Sequence, residues 1–229
     1  MTSTAHRGAQ GQSFRSLVTL LRRTLGRSWG IRAARFYAAL LSLGVVTAIA
    51  ISAGGLGAND TSLSLVARSA AMLVWVPGAM CALALAKPPH DASLAQGIAV
   101  LAGAHGFDGA RFARAEALAT VRLLGEVILV PLLFMGVFVF AILARGGLAS
   151  MARPLAGSIV FGSVAAMVLG SMASVCRRWG GARGRTWLAG AVFGPWLFAE
   201  MALSGRVATY VSIPGLLGRL WEALAAVPT

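Results

Sequence analysis

The sequence predicts an all-α, polytopic membrane helix bundle of five to six transmembrane helices, and three observations predict it. Five long apolar runs cross the chain, at Phe36–Ser52, Ala67–Ala86, Leu123–Ala144, Leu155–Cys176 and Trp187–Ser204. Their lengths approach the about 20 residues that a helix needs to cross a hydrocarbon core. The arginines collect on alternate sides of these runs. None of the runs alternates at the period of two that barrel strands require, so helix is the form that satisfies every backbone polar group inside lipid.

Composition agrees. The 229 residues are 58% hydrophobic and only 12% charged, with a mean hydropathy of +0.78. A soluble domain is about 25% charged, so the apolar surplus belongs in a bilayer and not in one oversized core. The net charge of +13 is nearly all arginine, Lys87 being the sole lysine. In a soluble domain that charge points to nucleic acid. Arranged around spans it points to topology and to membrane lipids with anionic headgroups. No aromatic-basic interleaving or zinc-type spacing supports a nucleic-acid partner. Cys81 and Cys176 fall near the cytoplasmic ends of spans, without metal-ligand spacing, and read as small packing residues kept reduced. His6, His90 and His105 are too scattered for a metal site. No cleavable signal peptide is expected, and the first span directs insertion.

The elements follow in order. Residues 1–12 are polar and read as disordered. Over 13–34, Phe14, Leu17, Leu20, Leu21, Leu25 and Trp29 share a helical face, with Arg15, Arg22, Arg23 and Arg27 largely off it. That is the pattern of a helix lying in the membrane interface. Seven arginines precede the first span, which places the N-terminus in the cytoplasm. The following loop has no basic residue before Arg68 and is expected outside. Residues 87–122, with Lys87, Arg111, Arg114 and Arg122, return inside. The loop at 145–154 is outside, and the arginine-rich loop at 177–186 is inside. The chain therefore divides into a basic tail and interfacial helix (1–34), a membrane domain (35–205) and a C-terminal segment (206–229). That last segment fits an interfacial helix or a short sixth span. An inner (cytoplasmic) membrane location follows.

The loop at 87–120 is the most unusual. Lys87-Pro88-Pro89 ends the second span, because proline removes amide donors and restricts its neighbour. Asp91 or Ser93 can cap a new helix over 93–104, with an apolar face of Leu94, Ile98 and Leu101. His105-Gly106 stops that helix. A turn at Phe107-Asp108-Gly109 leads into a helix that runs straight into the third span. A short helix lateral to the bundle is a surface for a partner to push against, or else a passive connector. In the fourth span, Ser158, Gly162, Ala166, Gly170 and Ser174 put a small residue at every fourth position. That spacing permits close helix approach within the chain or against a second copy. Pro131 and Pro195 remove helical hydrogen bonds in spans three and five. Glu126 lies early in span three, four residues after Arg122. The i,i+4 pair is its plain reading, and a role in substrate entry or coupling is the alternative. Glu200 is expected to reach the interface or to pair with Arg206. No nucleophile-base constellation is visible.

The order of these segments resembles the permease subunits of type-2 ABC exporters, in particular the haem-exporter-type permeases of cytochrome c maturation. The resemblance covers roughly residues 15–205. It rests on the amphipathic N-terminal helix, on VWVPGAMCALALA in span two and on D-x-S-L-x-Q at Asp91–Gln96. Further matches are ARAEALATVRLLGEVILVPLL at Ala113–Leu133, RRWGG at Arg177–Gly181 and the Gly194-Pro195 step. It implies that the stretch at Asp91–Gly109 is a coupling helix docking on a separate cytoplasmic ATPase. Contacts are then expected from Asp91, Ser93, Leu94, Gln96, Ile98, Leu101, His105 and Phe107. It also implies a second permease copy or paralogue, and ATP with Mg in the partner and none in this chain. The chain carries no P-loop, and the resemblance gives a non-catalytic subunit. The chain departs from the family in showing five clear spans where six are usual, and in a coupling loop poor in acidic residues. A secondary transporter is the first alternative, although no inverted repeat is visible. A membrane scaffold subunit is the second.

Overall fold

The computed structural model describes residues 3–53, 72–87, 92–143 and 148–202, together with Leu216, Arg219, Leu220 and Ala223. Among the described residues every regular element is helical. The first, α1 (Ser3–Leu25), starts inside the segment whose polarity predicts disorder. Alanine and glutamine there favour helix and no proline intervenes. It ends with Arg22 and Arg23 in its last turn, where cations suit the negative end of the helix dipole. Ser28 then caps α2 (Trp29–Ala53), its Oγ accepting from the Ile31 amide at 3.4 Å.

The second apolar run, as far as it is described, is not one regular helix. Val74–Gly78 forms a π-helical turn containing Pro77, and α3 (Ala79–Leu85) follows. The proline lacks an amide, and a widened turn relieves its clash with the preceding carbonyls. Positions 67–71 of that run lie outside the described residues. The lateral helix α4 (Ala92–Ala104) and the 35-residue α5 (Gly109–Leu143) come next. As the sequence predicts, α5 passes without a break from the loop into the third apolar run, and it continues through Pro131. A long α6 (Leu148–Gly180) and α7 (Gly184–Ala202) are separated by a 3-10 turn, Gly181–Arg183.

Gly181 has φ +50°, a left-handed conformation that glycine adopts freely. At Gly184 a Cβ would collide with the carbonyl oxygens of Ala86 and Cys176. The turn reverses the chain: a Cβ on Gly180 would stand 3.5 Å from the Trp187 ring. A straight helix would separate those positions by about 10 Å.

The central element is α5. Leu123, Leu124, Val127, Ile128, Leu132 and Met135 are all buried, against α2, α3 and α6. Its most extensive contact is with α6, and small residues permit it. A Cβ on Gly170 would stand 2.9 Å from the Val121 Cα, and one on Gly162 would stand 2.7 Å from Leu129 Cδ2. Ser158 and Ala166 are buried, and Ser174 is half-buried. The small-residue stripe of α6 therefore contacts α5 of the same chain.

Three stretches are long and apolar enough to cross a membrane: Trp29–Ala48, Gly109–Val137 and Ala156–Pro195, the last including the turn into α7. Val76–Leu85 is a shorter apolar helix. The outer faces of these elements are apolar too. Phe36, Leu40 and Leu43 of α2, Val130 and Val137 of α5, and Leu197, Phe198 and Met201 of α7 are exposed. Water rarely meets so wide an apolar surface; lipid does. The protein is thus a helical membrane protein. The C-terminal segment, apart from four positions, lies outside the described residues, as does the loop with Arg68. Of that C-terminal segment, Leu220 packs on the main core.

Candidate functional site

Three features follow one another along the first half of α5: the α4 turn before it, a buried arginine held at Glu116, and a carboxylate, Glu126, held by two arginines. The turn is built locally. His105 and Phe107 donate their amides to the carbonyls of Leu101 and Ala102. Gly106 takes φ +76°. His105 Nδ1 lies 2.8 Å from the Leu101 oxygen. Asp108 caps α5, its Oδ1 accepting from the Arg111 amide at 2.7 Å. Ile98 is buried with Val18 and Leu21 of α1 and with Ala115 and Ala119 of α5. Ala102 is buried as well, whereas Val100 and Leu101 are 67% and 62% exposed.

The expected single stripe of Leu94, Ile98 and Leu101 is therefore uneven: Ile98 is buried against α1 and α5, whereas Leu101 is exposed. α4 is apolar on all sides, so its periodicity does not select one face. His105 is exposed and Phe107 half-buried. Asp91 and His90 lie outside the described residues, and the side chains of Ser93, Leu94, Gln96 and Glu200 are likewise not described.

Phe14, Leu17, Val18, Leu21 and Leu25 of α1 pack toward α4 and α5. Ala115 and Ala119 are small enough to let α1 come close. Leu20 and Trp29, predicted on the same face, are exposed.

Glu126 of α5 is paired with arginines distant in sequence. Its Oε1 meets Arg22 Nε of α1 at 2.5 Å, and its Oε2 meets Arg35 Nη2 of α2 at 2.9 Å. The expected pair with Arg122 is not made; Arg122 is exposed. One carboxylate bridges two cations from two other helices. All three side chains are partly exposed, so each contact is worth at most about 1 kcal/mol. We expect Glu126→Ala to leave Arg22 and Arg35 in mutual repulsion and to loosen α1. Trypsin should then cleave at Arg22-Arg23 several times faster, while Arg122→Gln leaves that rate unchanged. An unchanged rate in Glu126→Ala would remove the pairing.

Arg177 of α6 is the buried member. Its side chain is only 5% exposed. Nη1 donates to the Leu85 carbonyl at 3.0 Å, at the end of α3. Nη2 donates to Thr120 Oγ1 at 3.1 Å and meets Glu116 Oε1 at 3.0 Å. Nε has no partner among the described residues. Thr120 in turn donates to the Glu116 carbonyl. Nearby, Arg185 Nε donates to the Leu83 carbonyl at 3.0 Å. Two arginines thus cap the last carbonyls of α3, which a helix end leaves without intrahelical donors. In the sequence Arg177 counts as one of four basic residues of a cytoplasmic loop. In the fold it is an internal strut joining α3, α5 and α6.

No family model, curated protein or solved structure matches the chain. The arrangement must therefore be judged on its chemistry. Among the described residues no three His, Cys, Asp or Glu side chains converge on a metal-sized site. Cys81 is buried in the core, and Cys176 is half-buried; both are free thiols. Both carboxylates of the site come from α5, and they fasten it to α1, α2 and α6. Ionic ties thus join α5 to three other helices, and the hydrogen bond of Arg177 to the Leu85 carbonyl extends them to α3. Sequence reasoning missed Glu116, Thr120, Arg22, Arg35 and Arg177 as partners. A usable signal was the scarcity of acids. With seven carboxylates against twenty basic residues, two acids on one helix beside a span mark where that helix is anchored.

Proposed function

We propose that this chain is the membrane-spanning permease subunit of an ATP-driven exporter, working with a separate cytoplasmic ATPase and a second permease. The observation that carries the reading is the pairing of α4 with α5. α4 presents Val100 outward and packs on α5, which ionic ties join to the rest of the bundle. The alternation of arginines supports a cytoplasmic position for α4. Closure of the ATPases would press on that exposed face. The α5 helix, unbroken from Gly109 to Leu143, would carry the displacement into the membrane, and the path for cargo would open between two permeases.

The test uses the chain expressed with its neighbouring reading frames. A single cysteine at Val100, in a background with Cys81 and Cys176 replaced by alanine, should crosslink to a P-loop ATPase. Val100→Arg should release that ATPase from the detergent complex without altering the melting of the permease, since the side chain is exposed. Labelling of a cysteine at position 100 by an impermeant thiol reagent from outside intact cells would overturn the reading.

A further inference from the structure

An open groove of about 850 Å³ runs between α1 and α4. One wall is a ladder at every fourth position of α1 and its exit: Arg15, Thr19, Arg23 and Arg27. The floor is apolar, from Leu20, Ile98 and Leu101. Among the described residues the lining contains no carboxylate. This sets the three arginines apart from Arg22, Arg35 and Arg177, each of which meets a glutamate. Thr19 Oγ1 is committed to its own helix, donating to the Arg15 carbonyl at 2.9 Å.

We propose that this groove binds an anionic phospholipid, its phosphate on Arg23 and Arg27, which stand four residues apart, and the start of an acyl chain along Leu20, Ile98 and Leu101. Charge complementarity selects the class. Guanidinium forks match phosphate oxygens two at a time, and an apolar floor beside them suits an amphiphile and not a free anion. Position selects the source. Trp29, 82% exposed, stands two residues after Arg27, at the start of α2. An exposed tryptophan at the head of a span marks the headgroup level. The groove therefore lies where lipid phosphates are. This assignment needs only that the protein be in a membrane, and it stands independently of the exporter reading.

Gly97 supplies a test that does not disturb the charge. It lines the groove, and nothing lies within 4 Å of where its Cβ would be. Gly97→Leu should fill the groove while leaving the fold intact. The full-length chain in neutral detergent would be titrated with phosphatidylglycerol, phosphatidylcholine or inorganic phosphate. Bound lipid would be read by native mass spectrometry and by the rise in melting temperature. Phosphatidylglycerol should bind and stabilise, and the other two should not. Arg23→Gln and Arg27→Gln should each weaken binding roughly fivefold, Gly97→Leu should weaken it comparably, and the exposed pair Arg178→Gln with Arg183→Gln should leave it unchanged. Equal loss in that control pair would mean diffuse attraction to a basic surface and would overturn the site. So would unaltered binding in Gly97→Leu, or an equal response to inorganic phosphate. Protection of 15–27 by an acidic protein subunit in lipid-free complexes, with no response to phosphatidylglycerol, would assign the groove to a protein and also end the proposal.

Discussion

Replacing Arg177 with leucine is expected to destabilise the bundle by about 3–5 kcal/mol, the range for removing one partner of a buried ion pair. The guanidinium serves three acceptors from two other helices: the Leu85 carbonyl, Thr120 Oγ1 and Glu116 Oε1. Its removal leaves Glu116 without its cation and the Leu85 carbonyl without its donor. Within or beside lipid, water replaces those partners poorly. In a mild detergent the melting temperature should fall by roughly 10 °C. Arg177→Lys should recover only part of the loss. One ammonium cannot reach acceptors on opposite sides as a planar fork can. Glu116→Gln should cost less, since its amide oxygen still accepts from Arg177. The neighbouring Arg178→Leu is the control, because that side chain is exposed. If the two arginine variants melt alike, both belong to a solvated loop and the strut does not exist.

That contrast shows what could be read from the sequence alone. Arg177 and Arg178 are adjacent and chemically identical, and the rule that orients spans counts them equally. Only the return of the chain through Gly181 and Gly184 carries the end of α6 against the end of α3. There the first arginine turns inward. The pairing of Glu126 has the same origin. Its partner Arg35 lies 91 positions away, and a local rule finds only Arg122.

Features whose causes are local were legible. These include the unbroken passage of α5 into its apolar run, the stop at His105-Gly106 and the apolar character of each long helix. Glycine conformation and continuous hydrophobicity are written within a few residues. The π turn at Val74–Gly78 was not legible, because Pro77 announces a disturbance without specifying how the backbone absorbs it. The face of α1 was half legible. Helical spacing marks its apolar side, but nothing in that spacing distinguishes lipid from Ala115 and Ala119 as the surface that receives it.

The second large effect is expected at Gly170. Changing it to alanine, nominally a better helix former by about 1 kcal/mol, should destabilise the protein, and valine should do so more severely. A Cβ there would stand 2.8 Å from Val121 Cγ2, 2.9 Å from Val121 Cα and 3.2 Å from Val121 N. Two of those three atoms are backbone. No rotamer change relieves them, so α5 and α6 must separate. Overpacking of this kind costs about 1–3 kcal/mol. Here it also moves the helix that carries both Glu116 and Glu126. Gly162→Ala should be milder, since its nearest contacts are the flexible ends of Leu129 and Leu132. Gly190→Ala, on α7 with nothing within 4 Å of its Cβ, should be neutral or slightly stabilising. The three alanine variants, melted side by side in one detergent, form a graded series in which helix propensity is constant and only the facing atoms differ. The order Gly170, Gly162, Gly190 from most to least harmful is the expected result. Equal melting of all three would mean that α5 and α6 do not meet backbone to backbone. The glycine at position 170 would then need another explanation, and the tie from Glu116 to Arg177 could not have the reach ascribed to it.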